Sequence, residues 1–241
     1  YAGGRTAREQ LTSQMPGKKL ENFLNLWGNK CDLSLSVGKE VITFFLLIFI
    51  LFFTYFHSRR TCFHFADIVC DNSGYELFMD FCFADYLITK KLATHIRFHV
   101  KQIPWFVSDA SVRDVQWAVS SRDHADPQLA ELGVSGQQVD DHFWTTPHEF
   151  YKMPSIDKDL YTKLGEAEMV FFKGDLNYRK LMGEMNWPPT TPFEVALRDF
   201  FPCPLVAVRT VKADLISGLP PGVQEKLNKL DEKWMEKGDY G

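Results

Sequence analysis

The feature that most restricts this chain is an alternation that begins near residue 66. Short apolar runs, each closed by polar residues, take turns with stretches of helical periodicity. "FADIVCDNSGYELFMDFCFADYLI" reads as a short strand up to Cys70, a polar turn Asp71-Asn72-Ser73-Gly74, and a helix from about Tyr75 to Thr89. Leu77, Phe81, Ala84 and Ile88 share one face of that helix. "HIRFHV" (95–100) is a second strand, "EMVFFKGD" (168–175) a third after the helical "DKDLYTKLGEA", and "PLVAVRTVK" (204–212) a fourth. Strands separated by helical stretches need crossover connections. The expectation is therefore an α/β fold with a mainly parallel sheet covered on both faces.

In such sheets ligands collect beyond the carboxyl ends of the strands. Asp71 and Asn72 follow the first strand and Asp109 the second. Lys173, Asp175, Asn177 and Arg179 follow the third, and Arg209, Thr210 and Lys212 the fourth. Two carboxylates and an amide oxygen form a hard donor set suited to Mg²⁺ or Mn²⁺, and no thiolate or HExxH pattern points to zinc. Lys and Arg at neighbouring strand ends are what a phosphate needs. A structural reading stands beside each item. Asp71, Asn72 and Ser73 are all favoured helix caps, Asp109 could cap "ASVRDVQWAV", and 173–180 could be a solvated helix start. His142 and His148, set among aromatics in "DDHFWTTPHEF", read as packed histidines rather than ligands.

Composition narrows the partners. With 27 Lys+Arg spread along 241 residues, a net charge of −4 and a pI near 6.0, the chain carries no nucleic-acid footprint. Small molecules or proteins fit better. The five cysteines, Cys31, Cys62, Cys70, Cys82 and Cys203, form no CxxC pair and sit mostly in apolar stretches, which fits a reducing compartment, cytoplasmic and extending to the nucleus. "YAGGRTAREQ" does not resemble a secretory leader, and the chain reads as a fragment of something longer. "VITFFLLIFILFFTYF" (41–56) has no charge over 16 residues, between the lengths of a buried helix and a membrane span. It is read, in order, as a segment foreign to the fold, a buried helix, or a membrane anchor.

"DNSGYELFMDFCFADYLI", "IPWFVSD", "FWTTPHEF", "FKGDLNYRKL" and "VRTVKAD", in this order, closely resemble the metal-dependent damage-control phosphatases of the acidic-residue methyltransferase type. Arg209-Thr210-Val211-Lys212 is similar to the RTxK signature of the subfamily acting on sugar phosphates. The resemblance implies a three-layer α/β/α domain over 67–241. A remnant of the family's helical N-terminal region would cover 1–36, most of that region being missing, and an atypical Phe/Leu-rich insertion 37–66. It also implies hydrolysis of phosphate esters of the fructose 1-phosphate or fructose 6-phosphate type with Mn²⁺, Co²⁺, Ni²⁺ or Mg²⁺. Asp71, Asn72 and Asp109 would hold the metal, and Asp71, Asp109 and Lys212 would carry catalysis. Asp71, Asn72, Asp175, Leu176, Asn177, Tyr178, Arg179 and Lys212 would contact substrate. Whether water attacks directly or Asp71 first takes the phosphoryl group stays open. Two alternatives accompany this reading. One is a methyltransferase acting on protein glutamates, with Glu76 and Asp109 on S-adenosylmethionine; the other is an inactive truncated homologue.

Overall fold

The structure, a computed structural model, describes residues 63–120, 136–139, 142–238 and 240. The expected helical remnant (1–36) and the uncharged run (41–56) lie outside the described residues. No helix among the described residues is long and apolar enough to cross a membrane.

Five strands form the sheet: β1 (Phe63–Val69), β2 (Ala93–His99), β3 (Gly136–Val139), β4 (Met169–Lys173) and β5 (Leu205–Val208). They pair in the order β3-β2-β1-β4-β5, every pair parallel. The chain thus steps from β1 outward through β2 to β3, then returns to β1's other side for β4 and β5. The order reverses between β1 and β4, which makes that point the natural crevice of an open parallel sheet. The register levels the strand ends there: Val69 pairs with His99 and with Phe172, and Lys173 with Val208.

Both faces are covered, as continuous apolar strands require. On one side α1 (Tyr75–Thr89) and α2 (Val112–Ser120) pack Leu77, Phe81, Ala84, Leu87 and Val115 against Ala66, Ile68, Phe98 and Phe171. On the other lie α3 (Met153–Ile156), α4 (Lys158–Leu164), α5 (Asp175–Leu181) and α6 (Phe193–Ala196). Their Met153, Leu160, Leu164 and Leu181 meet Val69, Val170 and Phe172, with Phe150 and Phe200 between. Each such aromatic contributes about 1.5–3 kcal/mol when fully buried. A last helix, α7 (Val223–Leu230), precedes a tail anchored by Trp234, whose Nε1 donates to Asn228 Oδ1 at 2.8 Å.

Several expectations shift in detail. The helix over 75–89 forms as read, but its N-cap is Gly74 and no side chain caps it. β5 stops at Val208, because Arg209 leaves the ladder to donate to the Leu215 carbonyl oxygen at 2.6 Å. β3 was not anticipated; "GQQV" is a four-residue strand pairing with β2 alone and shows no apolar run. His142 is exposed rather than packed, since the 3-10 turn His142–Thr145 directs Phe143 and Trp144 inward. Cys70 and Cys203 are buried free thiols.

Candidate active site

Beyond Val69 the β1 backbone continues to meet the loop that follows β2. Ser73 N donates to Ser108 O at 2.7 Å, Ala110 N donates to Asp71 O at 2.7 Å, and Asn72 and Asp109 form an antiparallel bridge. Asp71 and Asn72 are thereby clamped beside Asp109, at least 37 residues further along the chain, at the switch point. Asp109 does not cap α2. Its Oδ2 accepts from the backbone of Trp105 at 2.8 Å and Phe106 at 2.7 Å, which closes its own loop, while Asp114 takes the Ser111 amide and hydroxyl. The capping reading of both aspartates is thus set aside.

Gly174 explains how closely β4 approaches. At φ +89° it leads into α5, and a Cβ built on it would lie 2.0 Å from the Asp71 carboxyl carbon. Only a residue without a side chain lets the Asp71 carboxylate lie over this turn.

The charges around Asp71 are ordered. Lys173, 5% exposed, donates to Glu76 Oε1 at 2.9 Å and Asp80 Oδ1 at 2.5 Å. Burial alone pulls Lys173 down, yet Asp80 and Glu76 hold its ammonium protonated, above the ordinary lysine range. Burial pushes the Asp80 carboxyl up to about 7 against the pull of Lys173. Glu76 Oε2 accepts from Asn72 Nδ2 at 2.8 Å, and the same amide donates to Asp71 Oδ2 at 2.9 Å. Lys101, which directly follows Val100, brings its Nζ to 3.3 Å from Asp109 Oδ1. The Asp71 carboxyl is pushed well above the usual carboxylate range, by burial first and then by Glu76, with Lys101 opposing and Asp109 adding.

That crowding of acids is a fit test for a cation. Among the described residues no three His, Cys, Asp or Glu side chains form a metal cage. What the crevice offers a cation is two carboxylates with the Asn72 amide oxygen, which would leave the remaining positions to water and substrate as hard divalent ions prefer. Asn72 Oδ1 accepts here from Ser108 Oγ at 2.6 Å. Turning the amide over presents its oxygen beside Asp71, and the hydroxyl can accept as readily as it donates. The residues fit a divalent ion.

The stretch 173–180 is no solvated helix start, for Lys173, Asn177 and Lys180 are all buried. Asn177 Nδ2 donates to Lys173 O at 2.7 Å and Cys70 O at 3.3 Å, tying the ends of β1 and β4 together. Leu176 and Tyr178 send their side chains into the interior, Tyr178 OH accepting from Ser217 N at 3.2 Å. Asp175 Oδ1 accepts from Arg209 and, at 3.4 Å, from the Lys212 amide, so it holds the strap 209–215 over α5. Arg209 also lies 4.3 Å over the Tyr178 ring. Arg179, partly exposed, pairs with Glu184 at 2.9 Å. Lys212 is half-buried, and burial lowers its ammonium from the ordinary range. Lys101, Asp80 and Lys180 are the polar groups of this region that sequence reasoning left unassigned. Lys101 was accessible to the strand-end rule, being the first charge after "HIRFHV".

A fully parallel doubly wound sheet with an acidic crevice at its switch point defines an α/β fold of the kind that binds its ligand at the strand ends. Residues 6–227 match the Damage-control phosphatase ARMT1-like domain, and the chain belongs to that family. Damage-control phosphatase ARMT1 of Rattus norvegicus is 43% identical over 246 residues, covering 90% of this chain and 56% of its own length. That of Xenopus tropicalis is 39% identical over 263 residues (96% and 60%), and that of Homo sapiens 38% over 247 (90% and 56%). The chain thus spans somewhat over half the length of these relatives. A DUF89 family protein from Pyrococcus horikoshii is similar at a TM-score of 0.43 and 14% identity, over 93% of this chain and 68% of that one.

Proposed function

We propose that this chain hydrolyses phosphomonoesters of small sugars, of the fructose 1-phosphate or fructose 6-phosphate type, as a metal-dependent damage-control phosphatase. One observation carries the reading. The backbone bridge between Asn72 and Asp109 brings two carboxylates and an amide together where the strand order reverses, with the Lys101 ammonium alongside. The names of the curated relatives support phosphatase chemistry, and the RTxK-like Arg209–Lys212 supports the sugar-phosphate class.

Asp71, Asn72 and Asp109 would hold a divalent ion (Mn²⁺, Co²⁺, Ni²⁺ or Mg²⁺). When bound, it supplies positive charge to phosphoryl oxygens and acidifies water. The remaining work belongs to the protein. Two backbone N–H groups fix the Asp109 carboxylate, so its oxygens need not reorganise when the phosphate arrives. Lys212 and Arg179 offer cationic contacts to the phosphate or the sugar, and Asp175 orients the strap that carries Lys212.

Hydrolysis of an aryl phosphate with and without Mn²⁺ tests this. Asp71→Ala and Asp109→Ala are expected to lower metal-dependent turnover at least about 100-fold. Full turnover in either variant would remove the proposal.

A further inference from the structure

Two buried ammonium groups beside the acidic crevice lack enough partners. Lys101, its side chain 4% exposed, makes no hydrogen bond among the described residues; its ion-pair partner is Asp109, with Oδ1 at 3.3 Å. Lys180, 4% exposed, gives a single hydrogen bond, to the Thr146 carbonyl oxygen at 2.6 Å, and otherwise faces the Trp105 ring at 5.0 Å and the Phe150 ring at 5.6 Å. Two buried cations nearby are spoken for. Lys173 has Glu76 and Asp80, and Arg209 has Asp175 with two carbonyls. Each ammonium carries three donors, so most of the N–H groups of Lys101 and Lys180 are unused.

The pair is also close enough to interact. Lys101 repels Lys180, and burial with that repulsion lowers the Lys180 ammonium to about 8. Asp109, already holding two backbone N–H groups, cannot neutralise both. Buried like charges with open donors are costly in isolation, and a multivalent oxyanion between them removes the cost. Trp105 ties the arrangement to the crevice, since its backbone N–H holds Asp109 while its half-exposed indole covers Lys180.

We propose that Lys101 and Lys180 form the cradle for the substrate's phosphate dianion, with Trp105 as its outer wall. This rests on the phosphatase reading above and adds to it two phosphate ligands that lie outside the strap and outside 175–179. Lys101 enters from the end of β2 and Lys180 from the inner face of α5, so the anion lies between the two halves of the sheet, against Asp109.

Calorimetric titration with inorganic phosphate, in Mn²⁺-containing buffer at neutral pH, tests the cradle without requiring turnover. Lys101→Met and Lys180→Met are each expected to weaken phosphate binding about 10- to 100-fold, and Lys180→Arg to recover most of it. Far-UV circular dichroism checks folding, and Lys101→Gln and Lys180→Gln replace any Met variant that does not fold. Unchanged affinity in folded variants overturns the cradle, as does a wild-type chain that binds no phosphate. The two claims separate cleanly. Phosphate binding lost in the lysine variants of a chain without hydrolytic activity keeps the cradle and removes the hydrolase. Hydrolysis with unaltered KM in those variants does the reverse.

Discussion

Gly174 decides how near the end of β4 can come to Asp71. A methyl group there would overlap the carboxylate at 2.0 Å, and the φ of +89° is itself unfavourable for any L side chain. Gly174→Ala is therefore expected to cost about 2–4 kcal/mol of stability, from strain plus displacement of Asp71, and to lower phosphatase turnover more than neighbouring surface changes do. Thermal unfolding and aryl-phosphate kinetics measure both; a variant with native melting and turnover would contradict the close approach. Lys180 gives the pH response. Its folded-state value of about 8 lies below that of an unfolded lysine, so the ammonium destabilises the fold below pH 8 and the penalty fades as pH rises. The groups facing it are Lys101, Glu149, Asp109 and Glu184, of which only Lys101 pushes in the same direction as burial. Phosphate affinity is expected to fall as pH climbs through 8, whereas Lys180→Arg flattens the profile. Titrations between pH 7 and 9.5 check this, and a flat wild-type profile would count against it.

Among the elements, the strap 209–215 depends on Arg209. The guanidinium reaches Asp175 and the carbonyls of Ala213 and Leu215, and the tail docks on the strap's other side through Val211 N to Tyr240 O at 2.7 Å. Arg209→Met leaves Asp175 without its cation and is expected to destabilise by about 3–5 kcal/mol, with Arg209→Lys intermediate because it loses the planar fork. Chemical denaturation of the two variants decides; equal midpoints would mean the strap is held otherwise. The strap also marks the limit of what sequence alone conveys. β1, β4 and α1 were legible because unbroken apolar runs and one-sided periodicity survive in the sequence, and strand-end polarity pointed to Asp71 and Asp109. β3 was not, since "GQQV" is held by the edge of β2 rather than by its own hydrophobicity. Nor could the sequence tell that Arg209 turns inward as a tie, that Leu176 and Tyr178 are interior, or that Lys101 reaches Asp109 with Lys180 within electrostatic range. The placing of Lys101 beside Asp109 arises from the curl of the loop 101–111, fixed by Lys101 N to Ala110 O at 3.1 Å and the bridge at Asn72.

At the scale of the molecule, the reversal of strand order does the assembling. It sets β1 beside β4, so residues over 100 positions apart, Cys70 and Asn177, join at 3.3 Å. The two apolar layers hold the sheet level, while the buried Asp67–Arg97 pair, at 2.6 Å, locks β1 to β2 just short of the strand ends that open on the crevice. The curated relatives span more chain than this. The account rests on Asp71 and Asp109 sharing one cation. Calorimetric titration of Mn²⁺ into the wild-type chain, Asp71→Ala and Asp109→Ala measures that directly. A single site in the wild type, absent from both variants, is the predicted result; Mn²⁺ binding that survives in Asp109→Ala with the same affinity would contradict it.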